Sequence, residues 1–189
     1  MARCRTGTGA GARAVVLAAS LGLCADGWGS ARAQSDPSAS LSRRDVQVVA
    51  RALGFLQPPP AGEAWVAVVF APGDAASRRD AERVAGLFGE GLRTEAAVLR
   101  ARAVSADALS AGGYAALIAA VGAPGEALMA AARAQRIACV TAALEQVEAG
   151  RCTLWVRSEP RVQIVVSRAA TQASGLGLAA AFRMMVREI

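Results

Sequence analysis

Residues Trp65-Val66-Ala67-Val68-Val69-Phe70 form a near-continuous apolar run, the pattern of a strand buried on both faces of a parallel sheet. Residues 115–121 make a second fully apolar strand and 137–141 a third. Helical patterns lie between them. Ser77 is placed to cap a helix carrying Val84, Leu87, Phe88 and Leu92, and another helix opens at Pro124, where proline is tolerated. Upstream, residues 42–55 set Val46, Val49, Ala50 and Leu53 on one helical face with Ser42 as N-cap, and Pro58-Pro59-Pro60 stops the helix. Residues 97–104 read as a poorer strand with Arg100 and Arg102 alternating outward. Strands alternating with helices predict right-handed βαβ units and a mostly parallel sheet.

Downstream, the chain changes character. A short helix follows residues 137–141, and two β-rich runs, 153–157 and 162–167, flank Ser158-Glu159-Pro160-Arg161. That join suits a type I turn with Pro160 supplying a preset φ, giving an antiparallel hairpin. The chain then crosses Gly175 and Gly177 into a last helix, where Leu178, Phe182, Met185, Val186 and Ile189 recur at helical spacing as one buried stripe. The expected architecture is an α/β single-domain, three-layer fold over residues 42–189. It has a mostly parallel sheet, a C-terminal antiparallel hairpin and a closing helix.

The same stretches carry a family resemblance. Ile137-Ala138-Cys139-Val140-Thr141, Arg161-Val162-Gln163-Ile164-Val165-Val166 and Ala169-Ala170-Thr171-Gln172-Ala173-Ser174-Gly175-Leu176 resemble the C-terminal end of the YfiR family of small periplasmic proteins. Arg51-Ala52-Leu53-Gly54-Phe55-Leu56-Gln57-Pro58 is similar to that family's helix ending in an aromatic-proline corner. The resemblance implies a periplasmic regulatory protein without enzymatic activity. Such a protein binds the periplasmic part of an inner-membrane signalling protein, typically a diguanylate cyclase, and restrains it.

The N-terminus points to export independently. Arg3, Arg5 and Arg13 precede the apolar run 14–23, and Ala31-Arg32-Ala33 makes an A-x-A cleavage site. Residues 1–33 therefore read as a signal peptide cleaved after Ala33, residues 34–41 as a flexible lead-in, and the periplasm as the destination. The apolar run is shorter than the roughly 20 residues a membrane-spanning helix needs, so no membrane insertion is expected after cleavage.

Composition excludes several functions. Removing residues 1–33, with four arginines and one aspartate, leaves 17 basic and 14 acidic residues, a net charge of +3. That balance is spread out, and no basic stripe with readable elements marks a nucleic-acid binder. The chain has no His, Lys or Asn. Without His there is no Ser-His-Asp triad, no His metal ligand and no ready proton shuttle; without Lys there is no Schiff base and no P-loop lysine. The acidic residues are scattered, so neither enzymatic activity nor a cofactor or metal is expected.

Two cysteines remain after Ala33, Cys139 and Cys152, and an even pair in an oxidising compartment reads as one disulfide. A redox-sensing pair is the alternative. Ligands of such sheets sit beyond the carboxyl ends of the strands, where Ala71-Pro72-Gly73-Asp74-Ala75-Ala76-Ser77 and Gly122-Ala123-Pro124-Gly125-Glu126 would meet. An anion there would touch Ser77, Arg78, Arg79 and Gly125, which defines a small single-lobe solute-binding or sensory module as the second functional class. The plainer reading is two ordinary turns, Ser77 an N-cap and Arg78 and Arg79 solvated. Trp155, as core or as an exposed aromatic, and Arg183 and Arg187, one helical turn apart, are the candidates for partner binding. Met184-Met185 reads as core and core edge. Homodimerisation is left open.

Overall fold

The first helix follows from its capping chemistry. The Ser42 hydroxyl accepts the N–H of Asp45 at 3.2 Å and the Asp45 carboxylate accepts the N–H of Ser42 at 2.8 Å, a reciprocal capping box. It opens α1 (Arg43–Leu53), whose Val46, Val49, Ala50 and Leu53 are all buried, so the face read from the sequence is the face that packs. The computed structural model describes residues 40–189. The expected leader, its cleavage after Ala33 and most of the lead-in lie outside the described residues. The last two lead-in residues are anchored: Leu41 is buried, and the Ser40 hydroxyl meets Asp80 and Arg83.

The elements that follow are β1 (Leu56–Gln57), β2 (Gly62–Phe70), α2 (Ala75–Gly86), β3 (Leu92–Arg93) and β4 (Ala97–Ser105). A 3₁₀ segment (Ala106–Ala111) leads to β5 (Ala116–Ala119), α3 (Gly125–Gln135), β6 (Ala138–Thr141) and α4 (Leu144–Glu148). The chain closes with β7 (Leu154–Arg157), β8 (Gln163–Val166), α5 (Arg168–Ala173), β9 (Gly177–Leu178), α6 (Ala180–Met185) and β10 (Arg187–Glu188).

Eight strands form one sheet in the order β10-β8-β7-β6-β5-β2-β4-β3. Its centre, β4-β2-β5-β6-β7, is wholly parallel. Taken in chain order these strands lie as 2-1-3-4-5, a doubly wound arrangement whose direction reverses between β2 and β5. The hairpin β7–β8 is antiparallel, β3 pairs antiparallel with β4, and β10 runs parallel along β8. Strands β1 and β9 form a separate two-stranded ribbon.

Alternation along the strands divides the core into two. Val66 and Val68, Ala116 and Ile118, Ala138 and Val140, and Leu154 and Val156 face α1, α2 and Phe182 of α6. Ala67 and Val69, Leu117, Cys139 and Val165 face Leu128 and Ala132 of α3, Val147 of α4 and Leu109 of the 3₁₀ segment. The molecule is thus the expected three-layer α/β fold. Burying each Leu, Ile or Val side chain in it stabilises the fold by about 1.5–3 kcal/mol.

Several local readings change: α2 ends at Gly86, so Leu87 and Phe88 follow the helix and Leu92, expected on it, belongs to β3. Ser77 is not the N-cap of α2: Asp74 is, its carboxylate accepting the N–H groups of Ala76 at 2.8 Å and Ser77 at 3.1 Å. A carboxylate behind Pro72-Gly73 reaches those amides first, which moves the helix start upstream by one turn. The Glu159–Pro160 peptide, in the join between β7 and β8, is cis. The closing helix spans only residues 180–185, so the apolar stripe outruns it. Phe182 is buried, but Val186 is already extended, and Met184 and Met185 are 89% and 67% exposed rather than core.

Candidate functional site

The switch point between β2 and β5 is where the sequence placed an anion. Ser77 lies there, in the first turn of α2, but it is 1% exposed and its hydroxyl accepts the N–H of Ala71 at 3.0 Å. It braces the loop instead of facing solvent. The Asp74 carboxylate fills the helix N-terminus, where an anion would bind, and it sits beside Gly122 of the neighbouring loop. A second carboxylate knits the crevice from below: Asp80 accepts the N–H of Val121 at 2.9 Å and the Arg83 guanidinium at 2.9 Å. Arg78 pairs with Glu82 at 3.7 Å, and Arg79 is exposed. Gly125 begins α3 beneath the side chains of Gln146 and Arg151; a Cβ built on it would come 2.5 Å from Arg151 Cδ. Arg151 also pairs with Glu126 at 3.3 Å. The four candidate residues therefore surround the crevice without converging on one point.

The cysteines do converge. Cys139 of β6 and Cys152, just before β7, are disulfide-bonded with Cα atoms 4.8 Å apart, and both are buried in the second core. Thr153 locks the pair from both sides. Its N–H donates to the Cys139 carbonyl at 2.9 Å, and its hydroxyl accepts the Cys139 N–H at 3.0 Å. Burial keeps solutes from the sulfurs, so the arrangement acts as a staple between neighbouring strands.

The partner-binding candidates separate into two groups. Trp155 lies opposite Val165, and Val165 opposite Arg187, so the three share one row across β7, β8 and β10. The Trp155 indole packs against the second core and donates to the Ala142 carbonyl at 2.8 Å, with Arg157 over its ring at 5.9 Å. Arg183 is not a turn away from Arg187 on one helix, because α6 ends at Met185 and Arg187 belongs to β10. Arg183 instead forks onto Glu188 at 2.7 and 3.2 Å, with Arg168 beside it at 3.4 Å. The Arg183 hydrogen bonds, helped by Arg168, hold the Glu188 carboxyl below the usual glutamate range.

Around this end the surface turns apolar. Val48, Ala52 and Phe55 of α1 and its C-terminus, Ile164 of β8, and Phe182, Met185 and Val186 line a groove of about 210 Å³. Val162, exposed on the hairpin, lines the same groove with Arg51, and Met184 and Ile189 are further exposed apolar side chains of the C-terminal segment.

Sequence reasoning missed Asp74, Asp80 and a cluster on the other face of the sheet. There Arg102 lies over the rings of Trp65 and Tyr114, at 5.6 and 5.0 Å, and donates to the Tyr114 hydroxyl at 2.8 Å. The turn signal Pro72-Gly73-Asp74 was available for the first. Asp80 and the arginine stack join residues far apart in the chain, and periodicity carries no trace of them. Among the described residues no group of three or more His, Cys, Asp and Glu side chains could hold a metal ion, and no helix is long and apolar enough to cross a membrane. No family model and no curated protein matches this chain.

Proposed function

We propose that this protein is a non-enzymatic periplasmic regulator resembling the YfiR family, and that it binds and restrains the periplasmic part of an inner-membrane signalling protein. The observation that carries the reading is the apolar groove between α1 and α6, edged by Met185 at 67% exposure, with Met184 and Val162 in solvent. Contiguous exposed apolar side chains mark interaction sites, and unbranched methionine adapts to the partner it meets. Arg183, Arg187 and Glu188 supply a polar rim at the same end of the chain. Restraint then works by mass action: a regulator that binds the inactive receptor better shifts the population by that difference in affinity. The buried Cys139–Cys152 bond agrees with an oxidising compartment.

The solute-binding alternative has less to support it, because Asp74 already occupies the α2 N-terminus. Crosslinking of the tagged protein in native membranes, read by mass spectrometry, tests the regulatory reading. The expected capture is an inner-membrane protein with a periplasmic sensor region, lost when Met184 and Met185 are both changed to Glu. Capture of no membrane protein would sink it.

A further inference from the structure

On the side of the sheet away from the groove, no helix among the described residues packs on the first halves of β2 and β4. The second core takes in β2 only from Ala67 and β4 only at Val104, so the first halves of both strands stand outside it. Their side chains on that face follow from the register. Trp65 lies opposite Arg100, Ala67 opposite Arg102, and Val98 between Glu63 and Arg93. Trp65 is 39% exposed, and Arg93 and Arg102 are exposed. These strands thus present three arginines against one glutamate around an open tryptophan.

Two features show what the face is built to hold. Glu63 pairs with the Arg100 guanidinium, so a carboxylate already occupies one of these arginines and demonstrates the ligand chemistry. Arg102 is held between Trp65 and Tyr114, and the tyrosine hydroxyl accepts only one of its five N–H donors. An arginine fixed in this way has already lost its rotamer freedom, so binding does not cost it again. Tryptophan, tyrosine and arginine are also the residues that dominate binding energy at protein interfaces.

We propose that the Trp65–Arg100–Arg102 face docks an acidic segment of a partner protein, whose carboxylates replace Glu63 on Arg100 and add to Arg102 and Arg93. This surface is separate from the groove and goes beyond the regulatory reading. The test uses a fluorescein-labelled polyglutamate peptide and the purified full-length protein, followed by anisotropy. The peptide is expected to bind, with affinity falling as salt rises. Arg93→Glu/Arg100→Glu weakens it about tenfold or more, as charge reversal at a contact does. Glu63→Gln tightens it, since the internal competitor is gone, and tightens it more than the same change at Glu145, a carboxylate of α4 that makes no ion pair with these arginines. All altered side chains are solvent-facing, and unchanged circular dichroism confirms the fold. The proposal is overturned if polyglutamate does not bind, or if Glu63→Gln tightens binding no more than Glu145→Gln. Phosphatidylglycerol vesicles binding in its place, or a dimer broken by Arg93→Glu/Arg100→Glu, would overturn it too, by assigning the face to lipid or to a second copy.

Discussion

The Asp45 carboxylate accepts the backbone N–H of Ser158 at 2.6 Å, across 113 positions of sequence. One oxygen thus ties the start of α1 to the turn of the β7–β8 hairpin, while the other closes the capping box on Ser42. Asp45 is 5% exposed, so both hydrogen bonds form away from water, where charged acceptors are worth most.

Asp45→Ala is expected to cost about 3 kcal/mol, because it leaves the Ser158 and Ser42 N–H groups without their acceptor. Asp45→Asn, which keeps one oxygen, costs less. Acid has a related effect. Burial pushes the Asp45 carboxyl up, but the hydrogen bonds from Ser158 and Ser42 outweigh it and hold the group below the ordinary 3.8. With the folded value depressed, this stabilisation is complete above pH 3.8 and is lost as pH falls through the folded value. Urea melts of wild type and Asp45→Ala should therefore converge in acid; a gap independent of pH would contradict the assignment.

Cys139 and Cys152 should show no free thiol in non-reducing mass spectrometry of the folded protein. Because both are buried, alkylation under mild reductant should follow unfolding rather than precede it. Cys139→Ala/Cys152→Ala is expected to lose about 3 kcal/mol in the chain-entropy account of a loop this size. Ready reduction of the native state would favour the redox-sensing alternative.

Asp74 and Ser77 make a matched pair of tests at the switch point. Asp74→Ala removes the α2 cap and should cost about 1 kcal/mol. Ser77→Ala takes the acceptor from the half-buried N–H of Ala71 and should cost about 1 kcal/mol. Thermal melts separate these from Arg78→Ala, whose exposed i,i+4 pair with Glu82 is worth about 0.3–0.5 kcal/mol. A larger loss for Arg78→Ala than for Ser77→Ala would mean that the loop is braced otherwise.

What could be read from the sequence is what depends on short-range periodicity. The runs around Val66–Val69, Leu117 and Cys139 are apolar on both faces and alternate with helical patterns, which together called for a mostly parallel sheet. Residues 42–53 combine a cap with a single apolar face, so α1 could be placed to within a residue or two. The two strand-end loops were also named, since ligands of such sheets sit beyond the carboxyl ends of the strands, and the structure sets Asp74 of one beside Gly122 of the other. The cap at Asp74 is local, and its turn signal, Pro72-Gly73-Asp74, stood in the sequence. The rest of their chemistry was not legible. Asp80 accepts the N–H of Val121 and Gly125 packs under Arg151, contacts between distant positions that no local pattern encodes. Likewise the two-residue strands β1, β3, β9 and β10 are too short to leave an alternation and exist only because a longer strand or another short one lies beside them.

The C-terminal stripe shows where periodicity overreaches, and it yields the last prediction. Leu178, Phe182, Met185, Val186 and Ile189 keep helical spacing, yet α6 stops at Met185 and Arg187–Glu188 pairs with β8. Phe182 alone of the five is buried, stacked on Phe55 with ring centroids 5.0 Å apart. Phe182→Ala should therefore cost about 3–5 kcal/mol and loosen residues 177–189 against α1. Met184→Ala and Met185→Ala, which remove exposed side chains, should stay within about 0.5 kcal/mol. Chemical denaturation with limited proteolysis reads both effects. If the stripe formed one continuous buried helix, Met185→Ala would be nearly as damaging as Phe182→Ala, and that outcome would remove the groove from which the regulatory reading is argued.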